Sequence, residues 1–203
     1  MVLPGLFASM IAACHPHSGS AALPAADRDR LYAAVLRDVS RDSAVAWVVV
    51  DSLRPANDID AELQDKVLAE LPISREALDA FLAAQRMPVA QVHAAMLPDA
   101  RWALVSNARL EALREAARAE AADGVGRTAG QAGGFWTQWQ RAFPGSGGYV
   151  VLSPASIWRD GATAVVLLRT ACGAVCGETE LRLLRRDANG EWRTTGRVRL
   201  SES

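Results

Sequence analysis

This chain has few of the side chains that carry out catalysis in most enzymes. Its 203 residues include three histidines and three cysteines, and only one histidine, His93, lies beyond residue 17. No glycine-rich stretch has the context of a phosphate-binding loop, and no His and Cys residues have zinc-ligand spacing. Acid–base, nucleophilic and metal-assisted catalysis each need such groups. The sequence therefore predicts no catalytic residue, no metal ligand and no cofactor.

An excess of charge of one sign is also absent. The net charge is −1 at pH 7, which gives no reason to expect nucleic acid as a partner. The charges are unevenly spread, however: residues 1–123 carry 12 basic against 17 acidic side chains, and residues 124–203 carry 10 against 6. All but one of the basic residues are arginines. The C-terminal part of the chain is thus its basic part.

Long apolar runs are absent except at the N-terminus. The 12 residues after Met1 are uncharged and mostly apolar, a length typical of a signal peptide and too short for a membrane-spanning helix. They lead to the sequence Ile-Ala-Ala-Cys14, which resembles a bacterial lipobox, although no Lys or Arg precedes the run. We predict a lipoprotein signal peptide at residues 1–13, export, and a lipid anchor on Cys14. The alternative is a frayed apolar N-terminus.

The segment after Cys14 has the composition of a tether. Residues 14–24 are rich in His, Pro, Ser, Gly and Ala, which cannot form a packed core. His15 follows the cysteine, and by resemblance to lipoprotein sorting signals this favours the outer membrane. We expect the folded body to be held at a membrane of the cell envelope by this tether.

The two remaining cysteines favour a disulfide. With Cys14 assigned to a lipid, Cys172 and Cys176 can pair and leave no odd thiol. Three intervening residues require a turn, which Gly173 and Gly177 permit. The alternative is a redox or metal site, but thioredoxin-like chemistry uses two intervening residues. The sequence predicts a disulfide and an oxidising compartment.

Apolar spacing divides the rest of the chain into a helical part and a sheet part. Residues 25–123 are predicted to be mainly helical, with short strands at residues 45–50 and 102–106. Residues 124–148 are a glycine-rich connector that contains a short helix. Helices are expected to begin near Asp27, Asn57 or Asp58, Ser74 and Asn107.

The C-terminal part has the pattern of an antiparallel β-meander. Four β-branched runs between residues 149 and 203 are separated by turn sequences. In the last run, Trp192 and Val198 alternate with Arg193 and Arg199, which predicts a sheet with one face in water. The predicted fold is α+β: one domain over residues 25–203, whose helical N-terminal two thirds packs on a meander of four or more strands.

Part of this C-terminal pattern resembles a known group of proteins. Trp139, the sequence Phe-Pro-Gly-Ser-Gly-Gly-Tyr149, the Cys172-Gly-x-x-Cys176-Gly connection and Trp192 are similar to the C-terminal block of uncharacterised bacterial secreted proteins and lipoproteins. The resemblance implies export and a disulfide between the two cysteines. It implies no active site.

Some residues allow an enzymatic interpretation. His93 could act with Ser146 or Ser153 as a nucleophile and base, although the sequence around Ser146 does not match a nucleophile elbow. Two carboxylate pairs could bind a cation or act as acid and base, but helix capping and turns explain them more simply. The carboxylate residues are Asp58 with Asp60, and Asp187 with Glu191.

A cluster of arginines gives the strongest functional signal. Five of them are predicted to point outward from the last two strands and to share one surface, and an exported protein could use that surface to bind an anionic envelope component or an acidic protein. The alternative is a solvated face in an arginine-rich chain. The sequence favours a non-enzymatic, envelope-anchored binding lipoprotein over a periplasmic or extracellular hydrolase that uses carboxylates or His93. The five residues are Arg182, Arg186, Arg193, Arg197 and Arg199.

Overall fold

The described part of the protein combines five α-helices with a seven-stranded mixed sheet. The computed structural model describes residues 23–41, 45–57, 59–86, 90–122, 133–158 and 160–202. The helices are α1 (Ala25–Ser40), α2 (Ala61–Glu70), α3 (Arg75–Ala84), α4 (Asn107–Ala122) and α5 (Gly133–Ala142), and a short 3-10 helix lies at Ala94–Met96. The strands are β1 (Ala46–Val50), β2 (Trp102–Val105), β3 (Ser146–Leu152), β4 (Ser156–Ile157), β5 (Thr163–Gly173), β6 (Cys176–Arg186) and β7 (Trp192–Glu202).

The predicted α+β fold is confirmed, and the meander is part of a larger sheet. The strand order is β2-β1-β3-β5-β6-β7, and β4 pairs with β5. Strands β3, β5, β6 and β7 pair antiparallel, as the alternation predicts. The two short strands from the helical part, β1 and β2, add to the sheet in parallel with β3 and with each other. The sheet is therefore mixed.

Helices cover both faces of the sheet, so the prediction of one wet face is wrong. One face carries α1, whose Leu31 and Val35 lie in a core with Val166 and Leu184. On the opposite face, Phe81 of α3 packs with Val165 and Leu167, the residues on either side of Val166 in β5. Helices α4 and α5 pack over β1 and β3 on this same face. We call these the α1 face and the four-helix face. Both faces of β5 are apolar because both are buried.

A β-bulge changes the predicted alternation of β7. Gly196 pairs with Leu183 and Thr194 pairs with Leu184, which leaves Thr195 without an opposite residue. Because one extra residue reverses the side-chain alternation, Trp192 lies in the α1-face core whereas Val198 lies in the four-helix-face core. The prediction that these two apolar residues share one face is wrong.

Side-chain caps and one buried tyrosine fix the helices. Asp60 and Ser74 accept hydrogen bonds from the third residue of α2 and α3, and α2 begins at Ala61, later than the sequence pattern predicts. Tyr32 of α1 is buried, its hydroxyl donates to the Ser153 carbonyl oxygen at 3.1 Å, and the N–H of Ala155 donates to it at 3.0 Å. Burial raises the pKa of Tyr32 well above its usual range. None of the described helices is long and apolar enough to cross a membrane.

Candidate functional site

A cleft of about 440 Å³ opens on the four-helix face of the sheet. It is lined by residues from α4, α5 and β3 and from the hairpin of β5 and β6. Val50 and Arg54 line it where the chain leaves β1. Its volume is in the range of small-molecule sites, about 300–1,000 Å³. The cleft therefore has the size and setting of a binding site.

Three half-buried aromatic rings form one wall of the cleft. The rings of Trp136 and Tyr149 are nearly parallel, at 23°, with centroids 5.9 Å apart, and the edge of Phe135 meets Tyr149 at 82°. Behind them Trp139 is fully buried and donates its indole N–H to the Ser146 hydroxyl at 2.8 Å. This bond ties α5 to the first residue of β3. The aromatic wall is thus held in place by a fixed helix–strand contact.

Arg54 provides a cation that is held by neutral groups. Its backbone N–H donates to the Leu152 carbonyl oxygen at 2.7 Å, and its guanidinium Nη2 donates to Asn107 Oδ1 at 2.5 Å. The side-chain amide of Asn107 in turn donates to the Ser52 hydroxyl. Among the described residues, the guanidinium therefore contacts an amide oxygen and no carboxylate. Its positive charge remains available to a ligand.

Two further arginines line the same cleft. The Arg114 guanidinium lies 5.8 Å from the centre of the Phe135 ring and forms an exposed ion pair with Glu111 at 2.5 Å. Arg169 is in β5, directly opposite Val151 of β3. Glu178 is the one acidic residue among the described lining residues, and its carboxylate is paired with Arg199. The cleft is therefore cationic, with an aromatic wall.

The disulfide hairpin borders the cleft. Cys172 and Cys176 are joined at the tip of β5 and β6, with their Cα atoms 5.1 Å apart, as predicted. Cys176 lines the cleft, and Val175, at the tip, is 86% exposed. Strand β3 passes so close that a Cβ on Gly148, whose φ is 141°, would lie 2.0 Å from the Ala171 carbonyl oxygen. Only glycine fits there, so β3 and the hairpin form a closely packed rim.

The predicted arginine face is not formed as expected, and the clearest exception is Arg182. It is only 5% exposed, and its Nε and Nη2 donate to Glu180 at 3.0 and 2.8 Å. Its Nη1 donates to the Val35 carbonyl oxygen of α1 at 3.0 Å. The prediction that Arg182 points outward is wrong because α1 covers this part of the sheet. It is a buried structural ion pair.

Three of the other predicted arginines are paired with acids. Arg186 contacts Asp27 at 2.6 Å, and Arg193 contacts Asp187 at 2.9 Å. Arg199 contacts Glu178 and Glu202, and the hydrogen bond that its guanidinium donates to the Glu178 carboxylate raises its pKa. The charges that the sequence predicts for an anionic partner are therefore largely offset within the fold.

The five arginines also do not share one face. Arg193 pairs with Arg185 and lies on the four-helix face. Arg197, which pairs with Arg182, and Arg199, which pairs with Glu180, lie on the α1 face. A smaller polar groove of about 240 Å³ on the α1 face is lined by Arg197, Arg182 and Glu180. It contains the buried ion pair, and its lining mixes both signs of charge.

The structure separates the residues of the enzymatic interpretation. His93 contacts Asp29, with 3.3 Å between Nε2 and Oδ1. Ser146 accepts the Trp139 indole N–H, and Ser153, which is fully buried, donates to the Pro154 carbonyl oxygen. Each of the three has a different partner. The structure does not pair either serine with His93.

The candidate carboxylates have structural roles where they are described. Asp60 caps α2, and Asp187 accepts the backbone N–H of Glu191 at 3.0 Å in the β6–β7 turn. The hydrogen bond from Glu191 lowers the pKa of Asp187, partial burial opposes it, and contacts with Asn189 and Arg193 lower it further. Asp58, together with Cys14, the signal peptide and most of the tether, lies outside the described residues.

Sequence patterns did not identify the cleft arginines. Arg54, Arg114 and Arg169 lie far apart along the chain, and each sits in a different element or loop. Arg54 is followed by Pro55, a pair that is typical of the end of a strand and does not by itself indicate a binding site. Long-range packing brings the three side chains together.

Comparison with known proteins adds no relative. No protein-family model, curated protein or solved structure matches this chain.

Proposed function

We propose that this chain is a non-enzymatic binding protein of the bacterial cell envelope and that the cleft on the four-helix face is its site for an anionic ligand. The observation that carries the proposal is the guanidinium of Arg54, which contacts no carboxylate among the described residues and lies beside an aromatic wall in an open cleft that Arg114 and Arg169 also line. Clefts with a few convergent polar groups on an apolar lining are the usual form of a ligand site.

Electrostatics favours the cleft over the β6–β7 arginines. A charge already paired within the fold must lose its partner before it can bind another, and an exposed pair gives little net attraction. Arg54 instead contacts an amide oxygen. The anionic partner expected from the sequence is therefore assigned to a different set of arginines.

A pair of matched charge reversals tests this proposal. A screen of small anionic, neutral and cationic compounds, read as the shift in melting temperature, should give hits in the anionic group. Changing Arg54→Glu with Arg114→Glu should remove those hits, whereas Arg193→Glu with Arg197→Glu should keep them. Both doubles change the net charge equally. If the anionic compounds stop binding only when Arg193→Glu and Arg197→Glu are combined, the site lies on β7.

The envelope location has its own test. We propose that Cys14 is lipidated and becomes the first residue of the mature protein. Cys14→Ser should move the protein from the membrane fraction to the soluble fraction, with fractions compared by immunoblot. Membrane association that is unchanged in Cys14→Ser would show that the anchor proposal is wrong, without bearing on the cleft.

The hydrolase alternative centres on the contact between His93 and Asp29, because a carboxylate beside an imidazole can orient it as a base. The two functions are separated by complementing a deletion strain with His93→Ala or with the variant that carries both Arg54→Glu and Arg114→Glu, here called the cleft double. The binding proposal predicts that only the cleft double loses the cellular phenotype. If His93→Ala loses it and the cleft double does not, the chain acts as an enzyme around His93.

A further inference from the structure

We infer that the ligand of the cleft is a flat ring system that carries an acidic group. This inference rests on the proposed function and narrows it from any anion to one chemical class. The cleft offers two kinds of surface, aromatic rings and guanidinium groups, and a ligand of this class uses both. Neither an inorganic anion nor a neutral ring does so.

The aromatic wall favours a planar ring. Because the planes of Trp136 and Tyr149 differ by 23°, a flat ligand that lies parallel to one ring is nearly parallel to the other. Offset stacking is a preferred arrangement of aromatic groups. Both side chains are half-buried and line the cleft. With their centroids 5.9 Å apart the two rings are too close to admit a third ring between them, so a flat ligand stacks on the outer face of one of them.

The arginines favour an acidic group on that ring. Arg54 has its Nη2 engaged with Asn107, which leaves other N–H groups of the guanidinium for a ligand. Hydrogen bonds between a guanidinium and a carboxylate or phosphate are charge-assisted and stronger than neutral ones. Arg114 stacks near Phe135, where the wall meets the cationic part of the cleft. An acid attached to a stacked ring therefore lies near a guanidinium.

The acidic residue at the rim does not oppose such a ligand. Glu178 forms an ion pair with Arg199. Arg199, in β7, is directly opposite Glu180 of β6. The negative charge of Glu178 is offset by this pair. Arg199 itself does not line the cleft.

Isothermal titration with matched probes tests the inference. 2-Naphthoate carries a ring and a carboxylate, 2-naphthamide has the same ring without the charge, and acetate has the charge without the ring. We expect 2-naphthoate to bind about tenfold or more tightly than either, since one charge-assisted contact, which 2-naphthamide lacks, or one stacked ring, which acetate lacks, contributes about that much. Adenosine monophosphate tests whether a phosphate on a ring serves as well as a carboxylate.

Variants assign the two parts of the ligand to residues. Arg54→Gln should weaken 2-naphthoate about tenfold and Arg54→Lys less, because lysine keeps the charge. Trp136→Leu should weaken it by a similar factor, and Arg197→Gln, on the other face of the sheet, should have no effect. Equal melting temperatures of the variants would exclude unfolding as the cause.

The outcomes separate this inference from the proposed function. Equal affinity for 2-naphthoate and 2-naphthamide, or for 2-naphthoate and acetate, overturns the ligand class, as does binding of neither ring-bearing acid at millimolar concentration. The proposed function still stands in those cases if other anions bind and the Arg54 and Arg114 reversals remove them. If 2-naphthoate binds and Arg54→Gln has no more effect than Arg197→Gln, both the inference and the cleft assignment fail.

Discussion

The arginines of β6 and β7 and the arginines of the cleft have the same chemistry and different surroundings. Arg182 is buried against Glu180 and α1, and Arg199 is held by two carboxylates. Arg54 lies in an open cleft and contacts an amide oxygen. Arg182 and Arg199 contribute to the fold, whereas Arg54 is placed to bind. Clustering of charge in a sequence does not show which charges a ligand can reach; pairing and burial do.

Removing one member of the buried pair should give the largest effect. Arg182→Met should lower the free energy of unfolding by about 3–5 kcal/mol, because it leaves the Glu180 carboxylate buried without its partner. Urea unfolding followed by tryptophan fluorescence measures this. The double change of Arg182→Met with Glu180→Leu should restore much of the loss, since apolar replacements of a buried ion pair are often tolerated.

The matched change in the cleft sharpens the contrast. Arg54→Gln should alter the free energy of unfolding by about 0.5 kcal/mol or less, as expected for an exposed side chain. If Arg54→Gln destabilised the protein as much as Arg182→Met, the division between structural and binding arginines would be wrong.

The disulfide hairpin links the two regions, so its removal should affect both. Cys172→Ser with Cys176→Ser should lower the free energy of unfolding by about 2 kcal/mol, because the unfolded chain regains the entropy that closing this short loop removes. It should also weaken 2-naphthoate binding, because Cys176 lines the cleft. The same urea titration and calorimetry measure the two effects. Unchanged stability would show that the bridge does not constrain the unfolded chain.

The turn between β6 and β7 should give the smallest effect, visible in acid. The folded pKa of Asp187 is lowered, chiefly by the backbone N–H of Glu191, so its carboxylate contributes stability above the unfolded pKa of about 4. That contribution is lost as the pH falls through the folded pKa. Asp187→Asn should therefore differ from the original protein at pH 7 and converge with it at pH 2 in thermal unfolding. A difference that grows towards low pH would contradict this sign.

Local patterns in the sequence predicted the secondary structure well. Period-two alternation and turn residues located the strands of the meander, and Ser74 and Asn107 marked helix starts, because these signals depend on neighbouring residues. The alternation of β7 was correct on each side of Thr195 and wrong across it. A bulge depends on how two strands pair, which one strand alone does not reveal.

The site was much less predictable than the fold. Arg182 and Arg197 look alike in the sequence, yet they differ in burial because α1, a helix from the other end of the chain, lies over one of them. Arg54 and Arg114 are 60 residues apart and meet in the cleft only after β1, α4 and β3 have packed. Such contacts have no local signature.

The central claim is that an anion binds the cleft arginines and not those of β6 and β7. NMR of the arginine Nε–Hε groups in ¹⁵N-labelled protein, titrated with 2-naphthoate, tests it most directly, since each guanidinium reports its own contacts. The account predicts saturable shifts for Arg54 and Arg114, with the signals of Arg197 and Arg199 unchanged. Saturable shifts at Arg197 and Arg199, with the signals of Arg54 and Arg114 unchanged, would contradict it.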